Sequence, residues 1–143
     1  MRPPAFWDSS ALIPLCLVEP LTIRVQALYK RYQPVVWWGT SVEIAAAFAR
    51  LLRVKQLDVS DWSAAKLSAE KLSTRWAVIQ PSEILRTRAQ QIVENYDLRA
   101  AGAFQLAAAL DWCGDTPTGR IFFSADRRLR DAALLCGFDC PML

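Results

Sequence analysis

Residues 5–12, AFWDSSAL, decide the fold of this chain. The short apolar run from Ala5 to Trp7 stops at Asp8, and two serines then lead into an apolar segment of helical character. This order predicts a buried strand that passes directly into a helix, with Asp8 at the carboxyl end of the strand. In open α/β sheets, ligands bind outside the carboxyl ends of the strands. Asp8 is therefore interpreted either as a helix cap or as a metal ligand.

The rest of the chain alternates short apolar segments with helical stretches of about ten or more residues, a pattern typical of a parallel sheet with helices on both faces. Strands are predicted at residues 35–37, 77–80 and 121–124, and residues 138–140 are a candidate fifth, edge strand. The helical stretches begin near residues 9, 21, 40, 60, 82, 99 and 126. We expect one domain over residues 1–143, a three-layer α/β/α sandwich with a mostly parallel sheet of four to five strands.

The composition excludes several classes of protein. Apolar residues make up 53% of the 143 positions, which supports a full core and argues against long disordered segments. No run of about 18 apolar residues occurs, so no membrane span is expected. The first residues lack the apolar stretch of a signal peptide, and we expect a cytoplasmic protein. The net charge of +3 permits a polyanionic partner without requiring one.

The chain contains no histidine. This excludes Ser-His-Asp and Cys-His nucleophiles and a ribonuclease that uses a histidine acid/base pair. Hydrolysis would have to depend on carboxylates, a metal ion, lysine or tyrosine. Four cysteines, at positions 16, 113, 136 and 140, show no C-x-x-C spacing. They are predicted to be buried free thiols and not zinc ligands.

Three acids, Asp8, Glu43 and Asp126, lie where a helix begins after a predicted strand. Each alone has an ordinary explanation: Asp is a preferred N-cap worth about 1 kcal/mol, and Thr40-x-x-Glu43 has the pattern of a capping box. Together, carboxylates about 5 Å apart repel by about 3 kcal/mol per pair at an effective dielectric constant near 20. A fold that gathers them therefore favours a bound cation, and oxygen ligands alone favour Mg²⁺ or Mn²⁺.

The same residues resemble the motifs of PIN domains, especially the VapC-type toxins of toxin–antitoxin pairs. Residues 6–12 (FWDSSAL), with Glu19-Pro20 behind them, resemble the first motif; 41–47 (SVEIAAA), 98–107 (LRAAGAFQLA) and 123–129 (FSADRRL) resemble the next three. The motifs follow the family's order and spacing over nearly the whole chain. The resemblance implies a Mg²⁺- or Mn²⁺-dependent endoribonuclease that cuts RNA, usually forms a homodimer and is held inactive by a small antitoxin.

The resemblance also implies that Asp8, Glu43 and Asp126 are catalytic residues and metal ligands. It fails at Gly102, where the family pattern has an aspartate, and Asp111 lies on the opposite side of the same helix. Three explanations are open: weak binding of one ion by three acids, an inactive relative that keeps the scaffold and its partner surface, or an inactivated version of a toxic enzyme.

Four further residues are candidates for contacts with substrate: Ser9, Ser124, Arg99 and Arg127. The hydroxyls could hold a water molecule or a phosphate oxygen, or serve as ordinary helix caps. The guanidinium groups suit phosphate, or lie on solvated helix faces. Two rival functions stay open: a catalytically inactive PIN-fold module that binds a partner protein or RNA, and a different doubly wound domain whose acids are all helix caps.

Overall fold

A computed structural model describes all residues from 1 to 143. It contains four strands in the spatial order β3-β2-β1-β4, and every neighbouring pair is parallel. Their bounds are β1 Pro4–Trp7, β2 Gln33–Trp37, β3 Ala77–Ile79 and β4 Phe122–Phe123. The predicted parallel sheet is confirmed, and the strand that ends at Asp8 lies between β2 and β4.

Seven α-helices follow the strands: α1 Ser9–Leu12, α2 Thr22–Arg31, α3 Thr40–Arg53, α4 Val59–Ser73, α5 Glu83–Asn95, α6 Ala100–Trp112 and α7 Arg127–Cys136. The first of them is short because the chain continues as a 3₁₀ helix over Ile13–Leu15, where Pro14 cannot donate a backbone hydrogen bond. No helix has the length and hydropathy that a membrane span requires.

The helices form two layers because successive side chains of a strand point to opposite faces of the sheet. On one face, Phe6 stacks on Phe122 with ring centroids 5.3 Å apart, and this core includes residues of α5, α6 and α7. On the other face, Trp7 packs against Phe123 at 4.4 Å, and the core includes residues of α1 to α4. The expected α/β/α sandwich is thus confirmed.

The candidate fifth strand does not form. Between residues 138–140 and the rest of the sheet there is a single isolated parallel bridge, from Asp139 to Ile121. Phe138 is buried at 3% exposure, so this segment is held both by its side chain in the core and by backbone hydrogen bonds of Asp139 with Arg120 and Phe122. All four cysteines are free thiols, as predicted, but only Cys113 and Cys140 are buried, whereas Cys16 and Cys136 are half-buried.

Gly39 joins β2 to α3 at a point where there is no room for a side chain. A Cβ at this position would lie 2.6 Å from Nε1 of Trp37. The Trp37 indole in turn stacks on Phe104 of α6, with ring centroids 5.4 Å apart and an interplanar angle of 4°. The start of α3 is therefore packed through one aromatic ring onto α6.

Candidate active site

The three acids lie at one edge of the sheet. Asp8 directly follows β1, Asp126 follows β4 after two residues, and Glu43 is in the first turn of α3, which follows β2. These three strands are adjacent and parallel, so their carboxyl ends meet at the same edge. Asp8 is buried at 3% exposure, Glu43 is half-buried, and Asp126 is exposed at the surface.

Asp8 is held by serine hydroxyls and does not cap a helix. It occupies the N-cap position of α1, but its side chain makes no capping hydrogen bond of good geometry, and the backbone N–H of Ser10 has the smallest of the effects on its pKa. Instead the hydroxyls of Ser10 and Ser124 both donate to Oδ2, the latter over 2.9 Å. The hydroxyl of Ser9 lies 3.3 Å from Oδ1. The carboxylate is thus fixed by residues from α1 and from the segment after β4.

Glu43 is also not a cap. The helix α3 begins at Thr40 with Gly39 in the N-cap position, and no side chain caps it. The capping box expected from the sequence is therefore wrong, because Thr40 is already inside the helix. The Glu43 carboxylate accepts from Ser9 at Oε1 over 2.9 Å and from Gln105 at Oε2 over 3.1 Å.

Asp126 differs from the other two acids because it does cap a helix. Its Oδ1 accepts from the backbone N–H groups of Arg128 and Leu129 over 3.0 and 3.2 Å, at the start of α7. Its own backbone N–H donates to the Ser124 hydroxyl over 3.0 Å. The hydroxyl of Ser124 therefore hydrogen-bonds both the backbone of Asp126 and the carboxylate of Asp8. The rival prediction that all three acids are caps fails for two of them.

The surroundings of Asp8 and Glu43 disfavour the charged forms of both side chains. Burial raises the pKa of Asp8 above its usual value, and the charge of Asp126 raises it further, while hydroxyl donors oppose the change. Burial raises the pKa of Glu43 to about 7, against the hydrogen bond from Ser9, and the charge of Asp8 adds to the rise. None of the three acids is in an ion pair: all salt bridges in the chain lie elsewhere.

The donor chemistry fits a hard divalent cation, but the present arrangement does not close around one. The side chains that hydrogen-bond the Asp8 carboxylate are all serines, and a set of oxygen ligands suits Mg²⁺ or Mn²⁺. Yet no group of three or more His, Cys, Asp or Glu side chains is arranged so that it could hold a metal ion. The carboxylate of Asp126 is turned toward the backbone of α7. Asp8 and Glu43 share the hydroxyl of Ser9, and Asp8 is linked to the backbone of Asp126 by the hydroxyl of Ser124.

Solved structures with the same arrangement of elements include toxins. The VapC20 toxin of Mycobacterium tuberculosis, described as cleaving the sarcin-ricin loop, matches with a TM-score of 0.65 and 17% identity over 90% of this chain and 94% of the toxin. The chain has a PIN-like fold. No protein-family model and no curated protein sequence matches it.

Two further matches extend over a similar length. The protein PAE2754 from Pyrobaculum aerophilum gives a TM-score of 0.68 and 20% identity, over 98% of this chain and 90% of that one. A toxin–antitoxin complex from Klebsiella pneumoniae gives a TM-score of 0.62 and 14% identity, over 85% of this chain and 86% of the matched chain. Identities this low are evidence for the PIN-like fold alone.

Within this PIN-like fold, Gly102 lies in the first turn of α6. A Cβ at Gly102 would meet the side chain of Leu98 at 3.6 Å, which is an ordinary contact, so the backbone there accepts a larger residue. Asp111, at the other end of α6, is exposed, and it is not among the partners of the three acids. No acid of α6 therefore takes the place of an aspartate at position 102.

The four predicted substrate-contacting residues divide into two groups. Ser9 and Ser124 are buried, at 8% and 2% exposure, and their hydroxyls contact the carboxylates. Arg99, in the N-cap position of α6, and Arg127, the first residue of α7, are exposed, and neither is hydrogen-bonded to an acid of the site. Their contacts with a substrate stay predictions.

Sequence reasoning missed two residues of the site, Gln105 and Thr40. Both are fully buried, and the Gln105 amide donates to the Thr40 hydroxyl as well as to Glu43. The signal was present in the sequence: Gln105 is a single amide inside the apolar run 103–110 of a helix. A buried amide needs a hydrogen-bond partner, and that requirement could have pointed to the acids.

Proposed function

We propose that this chain is a Mg²⁺- or Mn²⁺-dependent endoribonuclease of the PIN/VapC toxin type. One observation carries the proposal: the buried Asp8 lies among serine hydroxyls beside Glu43 and Asp126, with no cationic side chain to balance them. Burying carboxylates together is unfavourable unless they are protonated or a cation binds, and the raised pKa values of Asp8 and Glu43 reflect this cost. Neither Asp8 nor Glu43 serves the helix termini, so helix capping does not account for them.

Asp8, Glu43 and Asp126 would hold the ion, with Asp8 as the buried ligand and Asp126 as the exposed one. The ion, when bound, makes water a better nucleophile and offsets the charge that develops on the phosphate. The chain's own residues orient these groups: Ser10 and Ser124 hold one oxygen of Asp8. The site has no histidine to move a proton, so proton transfer would fall to a carboxylate of the site.

We propose that Gly102 weakens this activity, because a fourth acid is missing from the start of α6. The same fact supports the second candidate function, a catalytically inactive PIN-fold module that binds a partner protein or RNA. The observation in its favour is that no three acids are arranged to hold an ion in the present conformation.

The proposed partners are an RNA substrate, a small antitoxin protein and a second copy of the chain in a homodimer, all in the cytoplasm. The Klebsiella pneumoniae neighbour is a toxin–antitoxin complex, which supports the antitoxin. A cavity of about 530 Å³ between α3 and α4 is lined in part by Ile44, Phe48 and Trp76. It offers an apolar site for a side chain of the antitoxin. Light scattering on the purified chain, alone and with a co-expressed antitoxin, tests these assemblies.

Cleavage of single-stranded and hairpin RNA, with Mg²⁺ or Mn²⁺ or with EDTA, tests the enzyme proposal. We expect cleavage by the wild type only with the ion, and its loss in Asp8→Asn. The matched control is Asp131→Asn, which removes an exposed carboxylate of α7 that has no partner in the site. If the wild type binds RNA without cutting it under all conditions, the inactive module is the correct function.

A further inference from the structure

Helix α6 buries one polar side chain in an otherwise apolar face. Residues 103 and 105–109 are all buried, and Gln105 is the only one of them that is not alanine or leucine. Its exposure is 0%. A buried amide is unfavourable unless its hydrogen-bonding groups are satisfied, so the presence of Gln105 on this face needs an explanation.

The Gln105 amide is only partly satisfied. Its Nε2 donates to Thr40 Oγ1 over 3.0 Å and to Glu43 Oε2 over 3.1 Å, and these are the side-chain hydrogen bonds that join α6 to α3. Its Oε1 is buried without any partner. An unpartnered buried oxygen destabilises the folded state, and a methionine of the same length would fill the space without it. Fold stability alone therefore does not account for the amide.

The hydrogen bonds of Glu43 show what the amide does. Its two carboxylate oxygens have one side-chain donor each: Ser9 of α1 holds Oε1 and Gln105 of α6 holds Oε2. Ser9 also lies next to Asp8. Without the bond from Gln105, a half-buried side chain with several rotatable bonds would be held at one oxygen only, and its position beside Asp8 would be less well defined.

We propose that Gln105 is a positioning residue: its amide holds the Glu43 carboxylate beside Asp8, where the two acids can bind one divalent cation. Gln105 acts through Glu43 and does not itself contact the ion. This inference rests on the proposed function for its metal-binding part. The holding of Glu43 by Gln105 can be tested without any metal.

A double-mutant cycle with Gln105→Met and Glu43→Met tests both parts, because each substitution removes the polar group and keeps the length of the side chain. In metal-free protein, urea unfolding measures the coupling between the two positions. At pH 8, we expect the effect of Gln105→Met on the unfolding equilibrium constant to be about tenfold larger when Glu43 is present than when it is replaced, as for a hydrogen bond to a charged group. Gln90→Met, at an exposed position of α5, is the matched control.

The second arm uses Mn²⁺ alone as the probe, with affinity measured by calorimetry. We expect Gln105→Met to weaken Mn²⁺ binding about tenfold, as for loss of an outer-shell partner, and to have no further effect once Glu43 is replaced. Additive effects in metal-free protein would overturn the inference, whether or not the ion binds. Equal weakening by Gln105→Met in the Glu43→Met background would also overturn it. Coupling in metal-free protein, together with no Mn²⁺ binding by the wild type, would support the holding of Glu43 and overturn the proposed function.

Discussion

Replacing Glu43 by glutamine should stabilise the metal-free protein at pH 8. The pKa of Glu43 rises from its ordinary 4.5 to about 7 in the folded chain, so the folded state binds the proton more tightly than the unfolded state does. Below about pH 4.5 both states are protonated and no penalty exists. Stability falls as the pH rises from about 4.5 to about 7, and it stays lower above that. Asp8, whose pKa is also raised, acts in the same direction.

The size of the effect follows from the change in pKa. At about 1.4 kcal/mol per pKa unit, the rise from 4.5 to about 7 corresponds to about 3 kcal/mol at pH 8. Because Glu43 is partly exposed, solvent screening reduces this to about 2 kcal/mol. For a chain of this length, such a gain raises the melting temperature by roughly 5 °C. The gain should vanish near pH 4.5, where the wild-type side chain is protonated.

Glutamine is suited to this test because the hydrogen bonds of the site can adapt to it. The oxygen of the new amide can accept from Gln105, and its NH₂ group can donate to the Ser9 hydroxyl, whose own hydrogen can then turn to Asp8. Urea unfolding followed by tryptophan fluorescence, in EDTA at pH 4.5 and 8, measures the difference. Glu94→Gln, on the exposed side of α5, is the control. Equal destabilisation by Glu43→Gln at both pH values would refute the reasoning.

Three other results are expected. Saturating Mn²⁺ or Mg²⁺ should stabilise the wild type at pH 8, by about 2.7 kcal/mol at 100 times the dissociation constant, and thermal melts of Asp8→Asn should show no such rise. Gly102→Asp should increase ion affinity and RNA cleavage with little change in stability, since a Cβ makes only an ordinary contact there; no gain in either assay would place this position outside the site. Asp126→Ala should lower stability by about 1 kcal/mol through loss of the α7 cap, whereas Asp126→Asn, which keeps an acceptor oxygen, should unfold at nearly the wild-type urea concentration.

Local patterns in the sequence were sufficient for the fold and for the position of the acids. The apolar run that stops at Asp8 predicted a strand followed by a helix, and parallel topology then placed Asp8, Glu43 and Asp126 at one edge. The sequence could not decide between capping and other roles. Thr40-x-x-Glu43 fits a capping box, which requires Thr40 at the N-cap position. In the structure Gly39, packed against the Trp37 indole, is the N-cap, and Thr40 is the first residue of the helix.

The parts of the site that escaped prediction depend on contacts between distant segments. The bond from Gln105 to Glu43 joins positions 62 residues apart, and nothing local to either residue indicates it. The missing fifth strand is a similar case: residues 138–140 have the apolar character of a strand, but only Asp139 pairs with the sheet. Whether a short segment completes a ladder depends on the packing of its neighbours.

The hydroxyl of Ser9 has a single hydrogen, yet it lies within reach of two carboxylates, 2.9 Å from Glu43 and 3.3 Å from Asp8. It can donate to only one of them at a time. Whatever satisfies one acid, whether a proton or a cation, releases that hydrogen to the other. The Ser9 hydroxyl therefore links the two acids. When the half-buried Glu43 is protonated or binds a cation, rotation about one bond of Ser9 gives the buried Asp8 an additional hydrogen bond.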